Sequence, residues 1–221
     1  MSYRGNQKSV PEILIDLRED DPEFKRAIVA YSFRAGQTVA DREALSCNLF
    51  TLMKGRSQLI CEGPNGRRLA IATLGPGSLF GEGATLGASD SRVKAVALTD
   101  CLCWVLPAPQ AEALAFRYPI LSWGLLQTAG QRLAQVETRM EEVAYKRLPE
   151  RLAGLLLELA SGSRWIRGTS HQSLADMLGT YRETISAILR GFKDDGLVEL
   201  GYRKIELCDT RGLRVAAGAG E

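Results

Sequence analysis

The stretch LADMLGTYRETISAILR, residues 174–190, sets an arginine beside a glutamate within a segment of helical apolar periodicity. Arg182 carries a planar guanidinium that can donate two hydrogen bonds to O6 and N7 of guanine, and Glu183 can accept one from the amino group of cytosine. Both fall in the first turn of a predicted helix, the part of a recognition helix that enters the major groove of DNA. The pair therefore has the chemistry that reading of base edges requires.

The apolar residues around this pair predict the elements that position it. Two faces at helical spacing would bury against a common core, namely Leu174, Met177 and Leu178, then Ile185, Ile188, Leu189 and Phe192. Gly179 lies between the two helices and can adopt the left-handed conformation that ends the first of them. The pattern predicts a helix-turn-helix whose outward surface carries Arg182, Glu183, Ser186, Ala187 and Arg190.

A capping interpretation competes with base reading. Thr180 and Glu183 have the Thr-x-x-Glu spacing of a capping box, in which Glu183 only satisfies a backbone group of its own helix. Arg182 can likewise be a solvated surface charge. Two amphipathic helices around a glycine are a weak signal when taken alone, so both interpretations remain open at this point.

Further polar residues in this region are candidates for contacts with phosphate groups, because donors and helix N-termini position a protein on DNA. The candidates are Ser170 at the start of the first helix, with Thr184, Arg190, Arg203 and Lys204. His171, the only histidine of the chain, has no neighbours that complete a metal-ligand set. We expect His171 to be a surface residue or to contact the backbone, and we expect no metal site.

A second charged constellation lies in the loop LFGEGATLGASDSR, residues 79–92. Glu82 and Arg92 stand at opposite ends of a run of small residues, where backbone N–H groups could cradle an anion and the arginine could neutralise it. The two side chains could equally pair with each other and hold the loop. Breaking such a buried pair on one side is costly, so a folding role also explains both residues.

The remaining pattern predicts an α+β chain. From about Ile28 to Leu106, β-type runs alternate with glycine-rich turns and predict a compact antiparallel barrel or sandwich; the runs are NLFTLM, SQLIC, RLAIATL, VKAVALT and CLCWVL. A long helix follows, beginning near Pro119 and ended by Pro149. Its apolar seam, suited to a homodimer or to covering the β domain, is Leu126, Ala129, Leu133, Val136, Met140 and Val143.

The last segment has the order of a winged helix, with helices followed by a hairpin that turns at Gly201 and Tyr202. We therefore expect a β-roll domain in residues 1–118, a long dimerisation helix and hinge in 119–148, and a winged helix-turn-helix domain in 149–221.

Composition narrows the classes of function. The chain has 221 residues, 45% of them hydrophobic, and a net charge of +2 that neither demands nor excludes a nucleic-acid partner. No secretory signal or membrane span is predicted, so we expect a cytoplasmic protein. Five scattered cysteines without CxxC spacing argue against a zinc site, and one histidine leaves no Ser-His-Asp or Cys-His constellation for an enzyme. Cys101 and Cys103 share a strand face and could form a redox pair, but we expect buried thiols.

From about Ile28 to Leu207 the chain resembles the cyclic-AMP receptor protein and fumarate-nitrate regulator family of bacterial transcription factors. The glycine-punctuated β-roll, the LFGEGATLGASDSR loop, the long helix and the LGTYRETISAIL segment with its wing match in order. The resemblance implies that Arg182 and Glu183 occupy the two base-reading positions. The chain departs from the family at Ala187, where a second arginine is common, and at Tyr181, where Ser or Thr is common and Thr180 becomes a candidate shifted cap.

The same resemblance implies that the small-residue loop is a phosphate-binding cassette. It implies that Glu82 bonds a ribose hydroxyl, that Arg92 meets a cyclic phosphate, and that the backbone of Gly81 and Gly83 approaches the ligand. Val93 stands where cyclic-nucleotide-binding relatives have a Ser or Thr donor. The long helix departs further, with Val136 and Glu137 where the receptor protein presents Thr and Ser to adenine.

The resemblance implies a homodimeric, sequence-specific DNA-binding regulator that acts on inverted repeats, activates transcription and recruits RNA polymerase. Its effector response is expected to be altered or absent, with cyclic AMP or another small anion as the candidate. A haem or an iron–sulfur cluster is not expected, because no cysteine precedes Cys47 and the histidine lies in the DNA-binding half. The alternative is a cyclic-nucleotide-binding regulatory subunit that does not read DNA.

Overall fold

A computed structural model describes residues 10–63, 66–86 and 92–218. The chain forms two compact units, and the long helix passes from the first to the second after Ala134. The elements up to that helix are α1 (Val10–Asp20), α2 (Pro22–Ala27), β1 (Val29–Phe33), β2 (Thr38–Ala40), α3 (Arg42–Cys47), β3 (Asn48–Lys54), β4 (Ser57–Glu62), β5 (Arg68–Leu74), β6 (Leu79–Phe80), α4 (Gly83–Leu86), β7 (Val93–Ala97), β8 (Cys101–Pro107), α5 (Ala108–Arg117) and α6 (Pro119–Tyr145).

The β-rich part consists of two four-stranded sheets, ordered β1-β8-β3-β6 and β2-β7-β4-β5. The pairs β1–β8, β3–β8 and β4–β7 are antiparallel, as the alternation of strands and short turns predicts. All five β-type runs form strands, which confirms the predicted antiparallel β domain and the α+β class. The inward residues of both sheets meet in one core, where the rings of Phe50 and Phe80 stack with centroids 5.0 Å apart.

The two strand cysteines belong to this core and are free thiols. Burial raises the pKa of the Cys101 thiol and raises that of Cys103 to about 12. Cys101 Sγ donates to the Arg56 carbonyl at 3.2 Å. The expectation of buried strand thiols is therefore confirmed, whereas Cys47 and Cys208 are exposed.

Helix α6 carries an apolar stripe that the described chain leaves uncovered. The seam side chains larger than alanine are between 45% and 68% exposed, and they are Leu126, Leu133, Val136, Met140 and Val143. The helix ends at Tyr145, and Pro149 lies in the first turn of the next helix. The prediction that Pro149 ends the long helix is thus wrong, because the missing N–H of proline costs nothing at a helix start.

The C-terminal unit has the element order of a winged helix. Its elements are α7 (Leu148–Ala160), β9 (Trp165–Arg167), α8 (His171–Leu178), α9 (Arg182–Asp194), β10 (Val198–Gly201), β11 (Lys204–Leu207) and α10 (Thr210–Ala216). The strands form a sheet in the order β10-β11-β9. Both predicted apolar faces contribute to one core, in which Leu174, Ile185 and Leu189 are fully buried. Met177 of the first predicted face is half-buried and is not among the residues of this core.

The wing turns one residue later than predicted. Gly201 pairs with Lys204 across the hairpin, so the turn residues are Tyr202 and Arg203, not Gly201 and Tyr202. Arg203 takes the positive φ of 50° that this turn requires, a conformation that favours glycine. Gly201 keeps a place in the strand ladder instead. Within the described ranges, no helix is both long and apolar enough to cross a membrane.

Candidate nucleic-acid interface

The first helix of the helix-turn-helix begins with a side-chain cap. Ser170 is the N-cap of α8, and its Oγ accepts a hydrogen bond of 3.0 Å from the N–H of Ser173. The same Oγ lies 2.9 Å from the Ser173 hydroxyl. The predicted phosphate contact of Ser170 stays a prediction, and its hydroxyl already has a structural role.

The turn between the two helices is closed by Gly179. This residue has φ +67° and ψ +38°, and its N–H donates to the Ala175 carbonyl. Thr180 N–H donates to the same carbonyl at 3.0 Å, so the Ala175 carbonyl accepts two hydrogen bonds where the helix ends. The predicted left-handed glycine turn is confirmed. It brings the chain to the start of α9, the recognition helix, within two residues.

The recognition helix begins without a side-chain cap. Its N-cap is Tyr181, which makes no capping hydrogen bond through its side chain. Glu183 is consequently the second helical residue rather than the third, so its carboxylate is one position too early for a capping box. The predicted capping box of Thr180 and Glu183 is wrong, and so is the shifted cap at Thr180.

The reading surface of α9 is open. Arg182, Glu183, Ala187 and Arg190 are exposed, whereas Thr184 and Ser186 are half-buried. Among the described contacts, neither the Arg182 guanidinium nor the Glu183 carboxylate makes an ion pair or a hydrogen bond. The structure thus brings the two predicted base-reading residues together at the helix start with their charged groups available.

Two other predicted DNA contacts are engaged within the domain. Ser186 Oγ donates to the Arg182 carbonyl at 2.9 Å and lies 2.8 Å from Nδ1 of His171. Arg190 Nε donates to the Ser186 carbonyl, 3.3 Å away. The sequence pattern missed the link between His171 and Ser186, because a helical spacing shows which face a residue takes but not which neighbour it bonds across a turn.

The wing carries two basic residues in different environments. Lys204 Nζ lies 3.4 Å from the centroid of the Trp165 ring, which is a close cation–π contact. Arg203 is exposed at the tip, with one Nη2 contact of 3.5 Å to the Gly168 carbonyl. Arg203 is therefore the more accessible of the two for a phosphate group.

The second charged constellation is assembled differently from the prediction. Glu82 forms an ion pair with Arg132 of α6, and Arg132 Nη2 also donates to the Leu79 carbonyl at 2.7 Å. Arg92 is exposed, and no described contact joins it to Glu82. The alternative in which Glu82 pairs with Arg92 is therefore not what the structure shows, because the partner of the carboxylate is Arg132. Sequence reasoning missed Arg132, although a basic residue beside the apolar seam was an available signal.

The surroundings of Glu82 retain one unused acceptor. Oε1 faces Arg132, whereas Oε2 is buried and accepts no hydrogen bond from the described residues. Gly81, just before it, has φ +82°, and a Cβ there would collide with the Asn48 carbonyl. The backbone before Glu82 is therefore held by a position that only glycine can occupy without distortion.

The other residues of the predicted effector pocket supply fewer of the ligand contacts that the resemblance implies. Gly83 begins α4, and residues 87–91 of the loop lie outside the described residues. Val93 is half-buried at the start of β7 and has no hydroxyl to donate. Val136 and Glu137 are exposed on α6.

A β domain followed by a long helix and a winged helix-turn-helix with an open reading surface defines a class of DNA-binding regulator with a sensor-like domain. Comparison with known proteins agrees with this class for both the β domain and the winged helix. Residues 31–118 match the cyclic nucleotide-binding domain family, and residues 150–216 match the Crp-like helix-turn-helix domain family.

Three relatives illustrate the match. The transcriptional regulator SdrP of Thermus thermophilus is 30% identical, over 76% of this chain and 83% of SdrP. The cyclic AMP receptor protein of the same organism is 29% identical, over 76% of this chain and 79% of that protein. The crystal structure of a CRP/FNR-family regulator, also from Thermus thermophilus, has 27% identity and a TM-score of 0.69, covering 86% of this chain and 98% of the other.

The chain belongs to the CRP/FNR family of transcription regulators. It carries a DNA-binding helix-turn-helix domain, and its relatives are regulators rather than enzymes. The alternative of a regulatory subunit without a DNA-reading role is not favoured, because the helix-turn-helix match spans residues 150–216, from α7 to α10.

Proposed function

We propose that this regulator is a homodimer that reads an inverted-repeat DNA site with Arg182 and Glu183 of each protomer. The observation that carries the proposal is the pair of unbonded charged groups in the first turn of α9, held on a buried scaffold. A guanidinium in that place can grip a guanine, and the adjacent carboxylate can accept from a cytosine. Because Ala187 supplies no second arginine, the half-site should have fewer specified positions than one read by two arginines.

The exposed stripe of α6 supports the homodimer. Apolar residues at alternating three- and four-residue steps are the pattern by which two helices pack lengthwise. Beside the stripe lies an apolar groove of about 320 Å³ lined in part by Phe116, Leu125, Leu126 and Ala129. Phe116 is 82% exposed. A second copy of α6 would cover the stripe, and two-fold symmetry would then present two reading helices about one turn of DNA apart.

A charge placed in the stripe tests the dimer. Leu133→Lys should convert the protein to a monomer in analytical ultracentrifugation and should abolish high-affinity binding to an inverted repeat. Gln135→Lys, an exposed neighbour outside the stripe, should leave the dimer intact. A Leu133→Lys protein that stays dimeric would overturn this assignment of the interface.

The Glu82 site supports an effector response that is changed from the cyclic-nucleotide pattern. The buried Oε2 fits a ligand hydroxyl as donor, since no described residue satisfies it. Val93, however, gives no donor to a phosphate, and Arg92 is exposed. We therefore propose cyclic AMP or another small anion with a hydroxyl as the candidate effector, with the regulator also able to bind DNA without it.

The proposed output is activation of transcription by recruitment of RNA polymerase, in the cytoplasm. This part rests on the family to which the chain belongs. An in vitro transcription assay with purified polymerase on a selected site tests it, because an activator raises the transcript yield and a repressor lowers it.

The first experiment is selection of DNA from a random library by the purified protein, with and without cyclic AMP, at one fixed salt concentration. Enrichment of an inverted repeat in both arms supports DNA reading without the nucleotide. Enrichment only with the nucleotide would contradict the proposed altered response. Arg182→Ala should lose the specified base and bind about tenfold or more weakly per half-site, whereas Arg203→Ala should weaken all sequences uniformly.

A further inference from the structure

A short relay of hydrogen bonds joins the start of α8 to the first turn of the recognition helix. His171 Nδ1 lies 2.8 Å from Ser186 Oγ, and the same Oγ lies 2.9 Å from the Arg182 carbonyl oxygen. That carbonyl can only accept, so the single hydroxyl proton of Ser186 is donated to it. The imidazole must then donate through Nδ1–H. The relay runs from His171 through Ser186 to the backbone of Arg182.

This relay changes the role of Ser186. Its hydroxyl proton points into the domain, so it is not available as a donor to a base edge. Arg182 is bonded through its backbone carbonyl, while its guanidinium has no partner among the described residues. The direction of the reading side chain depends on the position of the first turn of α9, and His171 contacts this turn from the neighbouring helix through Ser186.

We propose that His171 is a positioning residue for base reading, which fixes the Arg182 turn through Ser186 and couples DNA binding to the uptake of a proton. The inference rests on the proposed function, because it assigns a further residue to the same DNA interface. The Nδ1–H donor is present in both the neutral and the charged imidazole, so the relay persists when the second ring nitrogen takes up a proton.

The charge near His171 determines the direction of the coupling. Burial is the main cause that lowers the pKa of His171 in the free protein, and the positive charge of Arg182 on α9 lowers it further. Arg182 is the one charged group, among the described residues, whose field is found to act on this imidazole. DNA phosphates bring negative charge to this helix start, and they oppose the effect of Arg182.

The pKa of His171 should consequently be higher in the DNA complex than in the free protein. A group whose pKa rises on binding adds affinity below its free-state pKa and loses that contribution as the pH rises through its bound-state pKa. Since the free-state pKa is below 6.5, the gain should develop as the pH falls from 7.5 to 5.5. If the pKa of His171 in the free protein had its ordinary value, the gain in DNA affinity would develop at higher pH.

The test uses the full-length protein and the selected inverted repeat, measured by fluorescence anisotropy from pH 5.5 to 7.5 at constant ionic strength. The wild type should bind about threefold to tenfold more tightly at the acid end. His171→Asn places an amide N–H where Nδ1 donates but cannot titrate. It should match the wild type at pH 7.5 and lose the dependence on pH.

His171→Leu removes the donor, so it should bind the selected site about fivefold more weakly at pH 7.5 and show no proton linkage. Ser186→Ala should produce a similar loss, and the double variant should lose little more, because both changes break one relay. Binding to an unrelated sequence should change little in any of these variants, since phosphate contacts dominate there. Circular dichroism melts check that each variant is folded.

Three results would separate the possible failures. A His171→Leu protein that binds the selected site as tightly as the wild type would remove the positioning role. A pH dependence that survives in His171→Asn would assign the proton to another group and overturn the coupling. If the wild type itself selects no DNA site, the proposed function fails, and the inference that rests on it fails as well.

Discussion

The two units of the chain treat their charged residues in opposite ways. In the β-rich unit, Glu82 is drawn into an ion pair with Arg132, and both side chains are mostly buried. In the C-terminal unit, Arg182 and Glu183 stand side by side, exposed and without an ion pair within the described chain. The first arrangement is compensated inside the protein. The second is left for a partner to compensate.

This contrast separates charges that stabilise a fold from charges that serve recognition. A buried pair that loses one member leaves an uncompensated charge, so it is costly to alter. An exposed charge at a helix start contributes only a few tenths of a kcal/mol through the helix dipole. We therefore expect the free energy of unfolding to depend on Glu82 and Arg132, and DNA affinity to depend on Arg182 and Glu183.

The largest effect on the free energy of unfolding is expected when the ion pair of Glu82 and Arg132 is broken. Arg132→Ala leaves the Glu82 carboxylate without its partner and the Leu79 carbonyl without its donor, so it should destabilise the β-rich unit by about 2–3 kcal/mol in urea unfolding. That figure lies below the fully buried range because Arg132 and Glu82 are 21% and 16% exposed. Gln131→Ala, on the exposed side of the same helix, should change stability by less than about 0.5 kcal/mol.

A double variant sharpens this result. Arg132→Met with Glu82→Gln removes both charges and should cost less than Arg132→Ala alone, because no charge remains uncompensated. If the double variant proved as unstable as the sum of its single changes, Glu82 and Arg132 would not act as a pair.

An intermediate effect concerns the backbone that carries the open charges. Gly179→Ala forces a Cβ into the left-handed conformation at φ +67° and should cost about 1–2 kcal/mol of unfolding free energy. Gly191→Ala, in the last turn of α9, meets no atom within 4 Å and should stabilise the domain by about 0.5–1 kcal/mol. Identical chemical changes thus have opposite signs, and thermal melts of the two variants compare them. Equal shifts would mean that the turn at Gly179 is not under conformational constraint.

The smallest expected effect on stability is at the exposed charge itself. Glu183→Ala should change the free energy of unfolding by less than about 0.5 kcal/mol, because the helix start uses no cap from this side chain. It should, however, relax the preference for one base in each half-site. A loss of about 1 kcal/mol or more in chemical denaturation would restore the capping role that the Thr-x-x-Glu spacing suggested.

The sequence was sufficient to predict the strands and helices that local apolar patterns determine. Apolar β-type runs predicted five of the eight strands described in the β-rich unit, and helical spacing predicted the two buried faces around Gly179, because burial imposes those periods on the chain. The boundaries were less certain. The long helix ends at Tyr145, before Pro149, since proline suits the start of the next helix. The wing turn lies one residue later than predicted, since Arg203 accepts a positive φ that sequence rules give to glycine.

Contacts between distant residues could not be predicted in the same way. Arg132 is fifty positions from Glu82, and Ser186 lies on a different helix from His171. In both cases periodicity assigned the correct region but not the partner, because several polar side chains are within reach of each face. The open state of Arg182 and Glu183 also needed the structure, since the competing capping box differed from it by a single residue of helix register.

The cysteines differ in exposure, so dyes can be attached selectively to the exposed ones. Cys101 and Cys103 have raised pKa values and are buried, so a maleimide at neutral pH should pass them by. Cys47 and Cys208 are exposed, one in each unit, and replacing the partly exposed Cys61 by serine would leave those two as the reactive sites. A donor and an acceptor dye on them would report the separation of the two units by energy transfer, before and after DNA is added.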